Sequence, residues 1–164
     1  MRKLLLLLCL IGSTYASKPD SSNFWIFLAG GQSNMIGRAP LSAIDSVVDS
    51  RVWVLDSTAQ WIQTGDPIGI HSPNSLTSAV KLGPSYWCAR RLVRYFPRRH
   101  IGIIIAGSGG RSIGDWQKGD ISYDTLVNRA IVQNDSGIIK GILFMQGEAE
   151  AGSTEALANS WIDS

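Results

Sequence analysis

Cysteine is nearly absent from this chain: only Cys9 and Cys88 occur in 164 residues. Histidine is as scarce, with His71 and His100 alone. There is no internal repeat, no low-complexity tract beyond the first residues and no Pro/Gly/Ser linker, so one domain is expected. No apolar run reaches the roughly 20 residues that a bilayer-spanning helix needs, which excludes a polytopic membrane protein. Neither G-K-[ST] nor a complete G-x-G-x-x-G is present, which argues against a phosphate cradle. What the chain does have is 45% hydrophobic residues and 17 glycines, with 17% charged. That mixture excludes a disordered tail and a collagenous repeat.

The net charge of +2 is a property of the first residues. Arg2-Lys3 precedes an apolar run, Leu4 to Ile11, and small residues follow at Thr14 and Ala16. This order predicts a secretory signal peptide over residues 1–16 and a single secreted domain over 17–164. Without Arg2 and Lys3 the remaining basic residues equal the 13 acidic ones, so no nucleic-acid partner is expected. No stable membrane insertion is expected either. Cys9 belongs to the leader, which leaves Cys88 without an intrachain partner. It is read as a small hydrophobe on a helix. Asn134-Asp135-Ser136 is an N-glycosylation sequon.

Apolar runs at residues 24–29, 51–56, 101–106 and 138–145 read as strands. The spacing of Tyr86, Ala89, Val93 and Phe96 predicts a helix from Pro84 to Pro97, with Arg90, Arg91 and Arg94 on a solvated face. A second helix is predicted from Asp124 to about Gln133, with Leu126, Val127, Ala130 and Ile131 on one side. A third is predicted over 153–163. Residues 57–83 read as loop. Strands alternating with helices imply a three-layer α/β/α domain with a parallel sheet covered on both faces. Ligands of such sheets bind beyond the carboxyl ends of the strands. Three strand ends carry the same kind of chemistry: Gly30-Gly31-Gln32-Ser33-Asn34, Gly107-Ser108-Gly109-Gly110, and Gln146-Gly147-Glu148.

Ser33 directly follows the first strand and suits a nucleophile or a helix N-cap, and spacing alone favours the cap because N-cap serines are common. Ser108, in Ala106-Gly107-Ser108-Gly109-Gly110, is one substitution from a nucleophile elbow and is a rival. Gly109-Gly110 can turn backbone N–H groups toward a ligand oxygen. The Gln146 amide can donate to a developing oxyanion, and Glu148 can orient a neighbour.

Taken together, Gly31-Gln32-Ser33-Asn34-Met35-x-Gly37-Arg38, Gly109-Gly110-x-Ser112-Ile113-x-x-Trp116 and Gln146-Gly147-Glu148 resemble the sialate O-acetylesterase-like carbohydrate esterases. These belong to the SGNH hydrolase superfamily and include acetylxylan esterases. The resemblance implies an SGNH, flavodoxin-like hydrolase fold and a serine O-acetylesterase acting on acetylated carbohydrate without a cofactor. It makes Ser33 the nucleophile, and the Ser33 and Gly110 backbone N–H groups with the Gln146 amide the oxyanion hole. Arg38 and Glu148 are expected to support the site as a pair, and Trp116 to line a sugar platform.

In the family an Asp-x-x-His element near the C-terminus supplies the base, and no such element occurs here. His71 is expected on the surface of a polar loop, and His100 at the amino end of its strand. The chain is therefore read as a fragment, short at its C-terminus, with little esterase activity of its own. Its last strand is expected to present an open edge. A non-catalytic, secreted glycan-binding homologue is the alternative.

Overall fold

A computed structural model describes residues 17–73, 80–156 and 159. The predicted leader and most of the predicted last helix lie outside the described residues. The elements run β1 (Phe24–Gly31), α1 (Ser33–Ile36), β2 (Val52–Leu55), β3 (Trp61–Ile62), α2 (Pro84–Tyr95), β4 (His100–Gly107), α3 (Ile121–Val132) and β5 (Ile138–Met145). One sheet holds all five strands in the order β3-β2-β4-β1-β5. Strands β2, β4, β1 and β5 are parallel. The expected parallel sheet is present in these four strands, and short β3 adds an antiparallel pairing with β2 at one edge. A tight turn makes this hairpin. The Asp56 carboxylate accepts from the Thr58 N–H, the Thr58 hydroxyl and the Gln60 N–H. No described helix is long and apolar enough to cross a membrane.

The strand period of two sorts the apolar side chains into two cores, one per face. Val52, Val54, Ile101, Ile103 and Ile105 pack with Tyr86, Ala89 and Val93 of α2. Phe24, Ile26, Leu28, Trp53 and Ile104 pack with Leu126 and Ala130 of α3. This is the expected three-layer arrangement. Helix α2 starts where Pro84 fits the first turn and ends at Tyr95, so Phe96 leaves the stripe. Phe96 is 41% exposed and lays its ring against Trp25 at 4.8 Å. Arg91 and Arg94 are exposed as expected, whereas Arg90 is half-buried. Helix α3 begins three residues earlier than its apolar pattern suggested, with Asp120 at its N-cap. Of the four residues expected on one side, Leu126 and Ala130 are buried while Ile131 is exposed, since it lies 100° further round the helix.

Strand β5 departs most from expectation. Its run of apolar residues suggested burial on both faces, yet Ile142 is 61% and Phe144 50% exposed. It pairs on one side only, with β1, so the expected open edge is present among the described residues. Position in the sheet therefore decides what identical chemistry contributes. Ile104→Ala in β4 should cost about 2–5 kcal/mol through the cavity it leaves. Ile142→Ala in β5 should cost under ~1 kcal/mol. Denaturant unfolding of the two variants checks this, and equal losses would refute the assignment of β5 as an uncovered edge.

Candidate active site

The strand order brings the three expected loops side by side, because β1 lies between β4 and β5. The turn leaving β1 is sewn to both neighbours. The Gln32 N–H donates to the Met145 carbonyl at 3.2 Å, and the Ser108 N–H donates to the Gly31 carbonyl at 3.2 Å. Gly31 adopts φ +144°, and a side chain there would collide with the Met145 carbonyl oxygen. Only glycine passes this point.

Ser33 is the first residue of α1, and the N-cap is Gln32. The N-cap reading of Ser33 is thereby overturned, and its hydroxyl is not consumed in ending the helix. Ser33 is half-buried, and among the described residues its Oγ takes no hydrogen bond. The rival hydroxyl, on Ser108, is buried. Gly109 faces the serine turn: a Cβ there would stand 3.1 Å from Arg38 Nη2 and 4.0 Å from Ser33 Cβ. Gly110, the residue expected to donate, is exposed with φ +74°, and a Cβ there would meet nothing within 4 Å.

The third loop is tied to the other two by side chains. Asn34 Nδ2 donates to Glu148 Oε1 at 2.7 Å. This is the contact found for Glu148, expected beside Arg38, whose guanidinium reaches the Gly109 side of the turn. The Gln146 amide donates to the Arg111 carbonyl at 2.7 Å and accepts from the Trp116 indole N–H at 3.2 Å. Glu150 Oε1 accepts from the Ile113 N–H at 2.8 Å. Trp116, expected as a sugar platform, packs its ring inward. A Cβ on Gly30 would lie 2.9 Å from its ring, and Phe144 meets it edge-on at 5.1 Å.

His100 stands where expected, at the amino end of β4, and its Nδ1 accepts from the Trp53 indole N–H at 3.2 Å. His71 does not lie on a surface loop. It closes a short 3-10 turn, Ile68–His71, and is half-buried. Burial lowers its pKa, an effect that the Asp56 carboxylate partly offsets. The next residue, Ser72, brackets the end of β4: its hydroxyl donates to the Gly107 carbonyl and accepts from the Gly107 N–H. Among the described residues no group of three or more His, Cys, Asp or Glu could hold a metal ion.

Asp66 lies in the stretch read as loop, and its burial was not foreseen from the sequence. Its carboxylate is 2% exposed and accepts from the Ile68 N–H at 2.8 Å, with the Gly83 N–H also bonded to it. It thus joins the two segments on which α1 rests, since a side chain at Gly69 or Gly83 would meet the Ile36 carbonyl oxygen. Burial pushes the Asp66 pKa up to about 6, and the nearby Asp45 adds to this.

A five-stranded, mostly parallel α/β sheet carries a half-buried serine on the turn after β1, the strand between β4 and β5, an architecture that many enzyme classes share. Comparison with known proteins narrows this. The family model for carbohydrate esterases, sialic acid-specific acetylesterase, matches residues 23–163, and the chain belongs to that family. It is similar to a probable carbohydrate esterase of Arabidopsis thaliana, At4g34215, at 24% identity over 140 residues. That match covers 76% of this chain and 54% of the relative, so the chain spans about half the relative's length. The crystal structure of At4g34215 superposes with a TM-score of 0.75 at 22% identity, covering 88% of this chain and 66% of that one. NanS superposes at 0.64 with 18% identity, covering 88% and 62%. XAC1771, a carbohydrate acetylesterase from Xanthomonas citri, superposes at 0.53 with 20% identity, covering 83% and 35%.

Asp66 makes the domain's stability pH-dependent. Its folded pKa lies above its ordinary value, so ionisation is harder in the folded state, and stability falls as pH rises through the interval from about 4 to 6. Asp66→Asn keeps an acceptor oxygen and removes the charge. It should raise stability by on the order of 2 kcal/mol at pH 8 and change it little at pH 4. Thermal unfolding at the two pH values checks this. A variant less stable at pH 8 would contradict the buried-charge account.

Proposed function

We propose that the protein is a serine carbohydrate O-acetylesterase whose nucleophile is Ser33. The observation that carries this reading is the position of Ser33. It is a half-buried hydroxyl on the turn after β1, between the ends of β4 and β5, with Gly109 facing it and the Gln146–Glu148 loop tied beside it. Ser33 Oγ attacks the acetyl carbonyl and gives up its proton to a base, for which the resemblance names an Asp-x-x-His element. The carbonyl oxygen becomes an oxyanion held by the Ser33 and Gly110 backbone N–H groups and the Gln146 amide. Collapse breaks the bond to the sugar oxygen, which takes the proton, and leaves acetyl-Ser33. Water then attacks the acyl group, releasing acetate and restoring the serine. No cofactor enters either half. Two ties support Gln146: the Arg111 carbonyl and the Trp116 N–H fix its amide plane, so an oxyanion donor there needs no reordering during reaction.

Acetate release from O-acetylated glycan tests this. Residues 17–164 alone should show little turnover; with the Asp-x-x-His base that the resemblance names supplied, Ser33→Ala should lower turnover by at least ~10³-fold, and Gln146→Ala by about 10²–10³-fold. A Ser33→Ala protein that keeps its turnover would overturn the assignment. Residues 1–16 are proposed as the secretory leader, so the exported protein should begin at Ser17. N-terminal sequencing of exported material that still carries Met1 would refute this.

A further inference from the structure

An open groove of about 430 Å³ lies beside the serine turn, between α1 and the first turn of α2. Asn34 and Arg38, from the same turn as Ser33, form its polar rim. Leu82, Pro84, Trp87 and Met145 make its walls apolar. An acetyl group has three heavy atoms and fills on the order of 60–90 Å³, taking roughly a water's share of volume or less for each. The groove is several times larger, so it suits the alcohol part of an ester.

We infer that this groove seats the pyranose ring that carries the acetyl ester, with Trp87 as its aromatic wall. The inference rests on Ser33 being the nucleophile and adds the subsite that selects a sugar. A pyranose offers an apolar face of C–H groups with hydroxyls around its edge, which matches an aromatic wall below a polar rim. Trp87 is held for this task before any ligand arrives. Its indole N–H donates to Asp45 Oδ1 at 3.0 Å, and the Arg90 guanidinium stands 4.4 Å from its ring centre. An aromatic fixed at edge and face loses little freedom on binding. Asn34 is fixed as well, since Glu148 orients its amide. Trp116, the other tryptophan near the three loops, has its ring packed on Gly30 and Phe144.

Calorimetric titration with a panel of O-acetylated methyl pyranosides tests the assignment, in a Ser33→Ala background to prevent turnover. At least one pyranoside should bind saturably, and Trp87→Ala should weaken it at least tenfold. Ala39→Phe fills the groove from its exposed rim without touching the Trp87–Asp45 bond, and should do the same should Trp87→Ala fail to fold. The inference is overturned if no pyranoside binds or if Ala39→Phe binds as tightly as its parent. It is also overturned if 1-naphthyl acetate, and not the pyranosides, loses affinity. The nucleophile reading fails separately, on acetate release, because the binding titrations are read without it.

Discussion

The passage of the chain through Gly31 is the constraint on which the site depends. At this residue β1 ends flush against the Met145 carbonyl of β5, while its own carbonyl accepts from Ser108 at the end of β4. A side chain would push β5 away and break the Gln32–Met145 bond. With glycine there, three parallel strands terminate within hydrogen-bonding distance of one another, and the chain turns at once into α1. Ser33 therefore emerges at a position set by backbone contacts on both sides. A hydroxyl placed by backbone needs few side-chain partners to hold it, which leaves the surrounding side chains to orient one another.

They do so in pairs that cross between loops. Asn34 with Glu148 joins the first loop to the third. Gln146 with Arg111 and Trp116 joins the third to the second, as does Glu150 with Ile113. Each tie has a main-chain or amide group on at least one side, so each fixes a plane and a direction as well as a distance. Such geometry favours preorganised donors over flexible ones. The same region carries a polar burden: Asp66 is buried, and Asp66, Glu148 and Glu150 each keep one buried carboxylate oxygen without a hydrogen bond. The apolar cores on both faces of β4 and β1 offset that burden.

The three strand ends were legible in the sequence because a buried parallel strand is a continuous apolar run, and its end is marked by the first glycine or polar residue. The helices were legible for the same reason of period, with errors of a few residues where a buried Ser122 or a flanking Ile131 breaks the pattern. Hairpin β2–β3 was not legible, since β3 is two residues long and its turn depends on one carboxylate capping three donors. Burial of β5 was misjudged because Ile138–Met145 and His100–Gly107 look alike as strings, and only the strand order separates centre from edge. His71 was misplaced because its proline-flanked surroundings read as surface loop, whereas Ile68 and Gly69 pull that turn against α1.

The two tryptophans differ in packing in a way that local sequence position does not show. Trp116 follows the glycine loop directly, so nearness in sequence suggested that it faces a ligand. Nothing in the sequence reveals that Gly30, lacking a side chain, leaves a slot in the sheet face that an indole fills. Trp87 sits within the α2 helix pattern, next to the stripe of Tyr86, Ala89 and Val93. Its neighbours at Tyr86 and Ala89 are indeed buried, but Trp87 is one step, 100°, off that stripe and stands at the helix flank. Flank positions on the first turn of α2 border α1, because Gly83 packs against the end of the serine turn. An aromatic residue there is half-buried by necessity, with one part anchored in protein and the rest open to the groove. Its surroundings leave part of Trp87 lining the groove, whereas Trp116 packs on Gly30 and against Phe144.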